Sequence, residues 1–247
     1  MARAGFGLTL PLQSFVPIEA ATAVKEQVTP PLFLNASFPD AVNPVLHALG
    51  LPVFCGIGNV ALLAASLRQA LNLGPAARVQ VLGHHWHLYP PGPGVPEALA
   101  WLDGVPLTGV AAMLQRQRAT PRAELNQVNG LTTAQLLIGI VTGQKMQVSV
   151  PGPGGLAGGY PVTIEGRSIA TDLPEAWPLD RAKALNARWA REDGVEVFED
   201  GSVLFSEKCR NAVCGHLPEM ATPVSAALLV EVRARLLTLR EQLRRQV

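Results

Sequence analysis

Apolar side chains recur at roughly helical spacing over residues 12–28 (LQSFVPIEAATAVKEQV) and stop at Pro30-Pro31, which predicts a first helix. Leu32-Phe33-Leu34 reads as a short buried strand entering Asn35-Ala36-Ser37, and residues 40–49 as a helix stopped by Gly50. Residues 51–55 give a second buried strand and residues 60–73 a strong helix closed by Gly74. A third strand at 78–82 runs into Gly83-His84-His85-Trp86-His87. Strands that alternate with helices across short connections predict α/β layering. Residues 88–106, rich in proline and glycine, read as a long shaped loop. Helical patterning returns at 107–118 and 123–142, followed by a strand at 146–150 and a turn-rich connection at 151–161. A strand at 162–164 and a helix at 179–191 come next.

Two features close the chain. An Asp-Gly turn inside residues 195–205 (VEVFEDGSVLF) predicts a β-hairpin. Residues 221–247 read as a long helix in which Leu229, Val232, Leu236, Leu239 and Leu243 form a narrow seam. That seam packs either on the body of its own chain or against a second copy in a homodimer.

Composition narrows the class. With 48% hydrophobic residues and 16% charged over 247 residues, a real core is available and bulk disorder is excluded. A formal net charge of +1 argues against nucleic acid as a partner. No apolar run is long enough to span a membrane, and the first residues make a poor signal peptide, so the expected location is cytoplasmic. Cys55, Cys209 and Cys214 do not make a disulfide framework.

Three segments carry candidate chemistry. Residues 56–61 (GIGNVA) follow a strand, open a helix and fit G-x-G-x-x-A, which makes Gly56 and Gly58 weak candidates for a dinucleotide turn. The acidic residue that such a site needs at the end of the next strand is missing, so a plain strand-to-helix turn and no cofactor are expected. His84, His85 and His87 are three of only five histidines. If the strand continues through them, His85 and His87 share a face and could act as acid and base or bind a metal, but no carboxylate lies closer than ten positions away. No metal site is therefore expected there. Cys209, Cys214 and His216 offer soft ligands, but their spacing and the lack of a fourth ligand read as thiols beside a helix start.

Taken in order, residues 8–193 resemble the second half of the lactate/malate dehydrogenase superfamily. The resemblance is carried by LFLNASFPD at 32–40, the strand and long helix at 51–73, and VLGHHWH at 81–87. It continues through Asn129-Gly130 before a helix, Val148-Ser149-Val150-Pro151 before a glycine-rich turn, and the helix at 179–191. It implies a truncated Rossmann-type α/β domain over 1–193, without the family's N-terminal cofactor half, extended over 194–247 by the hairpin and the last helix. His85 falls on the family's catalytic histidine. The family's orienting aspartate and carboxylate-pairing arginine fall on Leu63 and Ser66, and no Asp or Glu lies between Asp40 and Glu97. An imidazole without an orienting carboxylate lacks a fixed tautomer and support for its charged form.

The resemblance thus implies a pseudoenzyme that has kept a scaffold and become a binding or accessory protein in a biosynthetic pathway. Its expected partner is a peptide or protein, held on the sheet edge bared by the missing strands and in the old substrate cleft. The expected contact residues are Asn35, Asn59, His84, His85, Trp86, His87, Tyr89 and Asn129. The competing reading is one subunit of a split NAD(P)-dependent oxidoreductase acting on a 2-hydroxy or 2-oxo acid.

Overall fold

A proline in the first turn, where no helical hydrogen bond is lost, starts α1 (Leu10–Lys25). The structure is a computed structural model and describes residues 5–74 and 76–245. The ends of the two expected segments, 1–4 and 246–247, lie outside the described residues, as does Pro75. Beyond α1, β1 (Leu34–Asn35) and β2 (Cys55–Gly56) pair in parallel around α2 (Pro39–Ala48). The long helix α3 (Val60–Ala70) leads to β3 (Val79–Leu82), whose four residues are all buried. Up to this point the chain follows the alternation in its sequence.

The parallel pattern stops there. β3 pairs antiparallel with β4 (Leu99–Leu102), which turns through Asp103-Gly104 into β5 (Val105–Pro106). Residues 88–106 therefore hold a hairpin rather than a plain loop. Asp103 and Gly104 have φ of 51° and 82°, both positive as in the turns that match strand twist. Short helices α4 (Val110–Met113) and α5 (Gln115–Ala119) precede α6 (Arg122–Val141). An antiparallel meander follows: β6 (Met146–Pro151), β7 (Gly159–Glu165) and β8 (Ser168–Thr171). It docks on β3, with the Val81 N–H donating to Ser149 Oγ at 3.0 Å and Gly83 and Gly159 exchanging backbone bonds of 2.8 and 3.2 Å.

Helix α7 (Leu179–Asp193) ends at Gly194, in the left-handed region at φ 112°. β9 (Val195–Val197) and β10 (Ser202–Phe205) form the expected hairpin, and α8 (Glu207–Val213) follows. The expected last helix is shorter at its start. Pro223 disfavours a helical residue before it, and Val224–Ser225 instead make β11 on the edge of β10, followed by α9 (Leu229–Arg244).

The described residues thus form a mixed α/β fold of several small sheets in which β1–β2 is the one parallel pair. No strand among them pairs with the outer edge of β1, and the β9–β10 hairpin pairs with β11 instead. Three apolar clusters hold the fold together. One joins α1 and α2 to the hairpin and α9, with Leu10, Val42, Leu46, Val195, Phe205 and Leu229 at its centre. The α9 seam lies on this cluster through Leu229, Val232, Leu236 and Leu239, so it packs on its own chain, while Leu243 is exposed. A second cluster packs α3 against β3 and α4–α6, and a third lies under the meander around Trp101, Tyr160 and Trp189.

Candidate active site

β3 ends at Leu82 and the chain turns almost at once. The His84 N–H donates to His87 Nδ1 at 3.0 Å, and the Trp86 N–H approaches His84 Nδ1 at 3.3 Å. The two rings cap a single 3-10 turn, His85–Leu88. This corrects the expectation of an extended strand with His85 and His87 on one face: the side chains compete for the backbone donors that a ladder would need.

His87 is structural. Its Nδ1 is an acceptor, so the ring proton sits on Nε2 and is donated to the Pro96 carbonyl at 3.2 Å. The ring meets Trp189 edge-on at 4.5 Å between centroids. Burial pushes its pKa down to about 4, so it is neutral near pH 7.

His85 is held differently. Its Nδ1 lies 2.9 Å from Asp193 Oδ2, at the last residue of α7, and its backbone N–H donates to Asp40 Oδ1 at 2.9 Å. The other Asp40 oxygen accepts from Asn59 Nδ2. Asp40 sits in the first turn of α2, where the helix dipole favours a buried anion. Phe6 stacks on the imidazole at 4.2 Å and 22°, and Phe38 approaches at 5.6 Å and 70°. Burial opposes a charge on His85. The hydrogen bond to Asp193 and the fields of Asp193 and Asp40 outweigh both burial and the opposing charge of Arg122, so the pKa is raised above 6.5.

This geometry fixes the tautomer: Nδ1–H points at Asp193, and Nε2 has no hydrogen-bond partner among the described residues. The expectation that the histidine lacks an orienting carboxylate is therefore corrected. Leu63 and Ser66 are indeed no substitute, Leu63 being fully buried and Ser66 Oγ donating to the Leu62 carbonyl. The carboxylate instead comes from 108 positions further along the chain. His84 lies beside the same carboxylate, with Nδ1 3.5 Å from Asp193 Oδ2 and its buried Nε2 unpartnered among the described residues.

Two residues flanking Asp40 in space, Phe38 and Asn59, have φ of 42° and 40° although neither is glycine. Each starts a helix, α2 or α3, and each such conformation costs on the order of 1–3 kcal/mol. Two of the four described non-glycine residues with positive φ thus flank the carboxylate that fixes the His85 backbone; the others, Asn72 and Asp103, lie in turns elsewhere.

The remaining candidates divide. Asn59 belongs to the centre through Asp40, and the Trp86 indole N–H, one residue from His85, is buried without a partner among the described residues. Asn35 is spent on its own turn, bonding Ser37 and Asn43 Oδ1 at 2.8–3.0 Å. Tyr89 is 59% exposed. Asn129 lies inside α6 rather than before a helix, with Oδ1 buried and unpartnered among the described residues. Sequence reasoning missed Asp193, Asp40, Phe6, Phe38 and Arg122. Phe38 and Asp40 were visible within LFLNASFPD, though without a role; the others carry no local signal.

The turn at 56–61 does not fit a dinucleotide. A side chain on Gly56 would collide with Pro39, so its missing Cβ serves helix packing, and the Asp40 carboxylate sits beside the start of α3 where a pyrophosphate would need positive potential. Among the described residues, no three His, Cys, Asp or Glu side chains are grouped to hold a metal ion. In comparisons with family models, curated proteins and solved structures, nothing matches this chain.

Proposed function

We propose that the chain carries out proton transfer at His85. Nε2 takes a proton from, or gives one to, an oxygen of a bound substrate, while the Nδ1–H bond to Asp193 holds the ring and stabilises the imidazolium. The observation that carries this reading is the 2.9 Å His85–Asp193 contact with Nε2 left unengaged. Asp40 adds a second negative charge, and the partnerless Trp86 N–H offers a donor one residue away. The order of motifs resembling the substrate half of a dehydrogenase supports an oxygen-bearing substrate such as a 2-hydroxy or 2-oxo acid. The residues at 56–61 do not supply a nucleotide site, so in this reading the chain is the acid–base subunit of a larger system.

Ring-nitrogen NMR tests it, together with a turnover screen of 2-oxo acids, 2-hydroxy acids and esters. The Nδ1–H tautomer of His85 is expected, with a midpoint above 6.5 that falls in Asp193→Asn. Turnover is expected to drop by about a hundredfold or more in His85→Gln. A midpoint at or below 6.5, or equal turnover in the variant, overturns the proposal. A second reading, a binding protein that holds an extended peptide, is favoured by the unpaired outer edge of β1. It predicts peptide affinity that survives His85→Gln.

A further inference from the structure

A cleft of about 600 Å³ lies between α3, α6 and β6, and neither Asp193 nor any residue of the His85–Leu88 turn lines it. Its size falls in the range of small-molecule sites. Ala61, Ala64, Ala65 and Arg68 line it from α3, at the i, i+3, i+4 and i+7 positions of one helix face. The short alanine side chains fill little of the gap to β6, which leaves the space open. The opposite wall takes its apolar area from Leu136, Met146, Val148 and Val150 and also carries Gln135, Gln144 and Gln147; its Thr132 and Thr133 hydroxyls donate to the Asn129 carbonyl, and Ser149 Oγ accepts the Val81 N–H.

The charge of the lining is one-sided. Among the described residues that line it none is Asp or Glu, and the two charged ones are Arg68 and Lys145. Both belong to the same end, Arg68 near the end of α3 and Lys145 just before β6. Arg68 is anchored there by bonds to the carbonyls of Gly74 and Ala77. A guanidinium has five N–H donors, so most of its capacity is left for a ligand. Lys145 is 67% exposed, and Glu165 meets it only at 4.0 Å with equal exposure, a pair too solvated to hold it. The other end is the uncharged turn at Gly56-Ile57-Gly58. From Val60 to Arg68 the α3 wall runs about 12 Å at 1.5 Å per residue.

We infer that this cleft binds a single-headed anionic amphiphile, a medium-chain carboxylate, with its chain along the alanine face of α3 and its head between Arg68 and Lys145. A lining that is apolar over most of its residues and cationic at one end fits a ligand whose charge is confined to one end, and with no carboxylate among the described lining residues the repulsion that would exclude it is removed. The site is separate from the proton-transfer centre, so the two readings stand or fall independently.

The test is a titration of the full chain with dodecanoate, followed by calorimetry, with dodecanol as the uncharged control. Saturable one-site binding is expected, at least about tenfold tighter than dodecanol and weakened by salt. Lys145→Glu is expected to weaken it by a further order of magnitude. Ala64→Trp, which fills the cleft, is expected to abolish it; Ala64→Leu serves if the larger side chain unfolds the protein by circular dichroism. His85→Gln is expected to leave it unchanged. Absence of saturable binding, equal affinity for dodecanol, or full affinity in a folded cleft-filling variant overturns the assignment.

Discussion

Three neighbouring histidines meet three fates, and the difference lies in which atoms reach each ring. His87 accepts a backbone N–H and donates to a carbonyl, both contacts that suit the neutral ring. Its pKa of about 4 against 6.5 unfolded means that the unfolded chain binds the extra proton between those values. His87 therefore supports folding above pH 6.5, and its contribution is lost as pH falls toward 4. The full span is roughly 3 kcal/mol at 1.36 kcal/mol per unit. A pH series of urea midpoints should show this acid limb, and His87→Gln should flatten it. His85 runs the other way. Its folded pKa is raised, so its stabilisation is complete below 6.5 and disappears as pH climbs through the folded value. In the same series His85→Gln should lower the midpoints at pH 6 more than at pH 9. The histidine cluster was legible in the sequence, but its sorting was not. The deciding partner, Asp193, lies at the far end of another helix, and a search for carboxylates near in sequence had no way to find it.

At the scale of elements, periodicity located most helices to within a few residues, because each carries an apolar face and a stop signal. Strands were harder. The Asp200-Gly201 hairpin was legible as a turn between two β-prone runs, yet the same dipeptide at Asp103-Gly104 went unread because surrounding prolines and glycines made the whole segment look like loop. Burial explains why it folds: Ala100 and Trp101 are covered by their neighbours, and the strand completes the edge of β3. The turn should be correspondingly sensitive. Gly104 has φ 82° with open space around it, so a side chain there meets backbone strain and no clash. Gly104→Val should cost on the order of 1–2 kcal/mol, read as a lower denaturant midpoint with an unchanged m-value. Gly92→Val, in open space without a positive φ, is the matched control and should cost little. The start of α9 shows the converse: the heptad-like seam is helical from its first residue, Leu229, but the helix expected from 221 begins only there, because Pro223 disfavours helix before it and Val224–Ser225 pair with β10.

Over the whole molecule, the first described turn and the chain after α7 hold one another, and His85 lies between them. A side chain on Gly7 would fall on the backbone of Gly194 and Val195, directly after Asp193. Its neighbour Phe6 stacks on the imidazole, and the Phe6 carbonyl accepts from the Thr9 hydroxyl at 2.8 Å. The same contact joins the two ends of the chain into one core, since Leu10 and Ala21 of α1 share a cluster with Val195, Phe205 and Leu229. A boundary at 193/194 drawn from sequence therefore runs through shared packing. Gly7→Val should push the turn away from residues 194–195, lift Phe6 from His85 and loosen the Asp193 contact together. Thermal unfolding should then begin at lower temperature, and the His85 midpoint should fall toward 6.5, since the bond and field that raise it are weakened. Phe6→Ala separates the two effects: it removes the stacked ring while leaving Gly7 against Gly194, so the Asp193 bond and the raised midpoint should persist. If Gly7→Val lowers the melting temperature without moving the His85 midpoint, the two ends are joined by packing alone, and the carboxylate is positioned by α7 without help from the first turn.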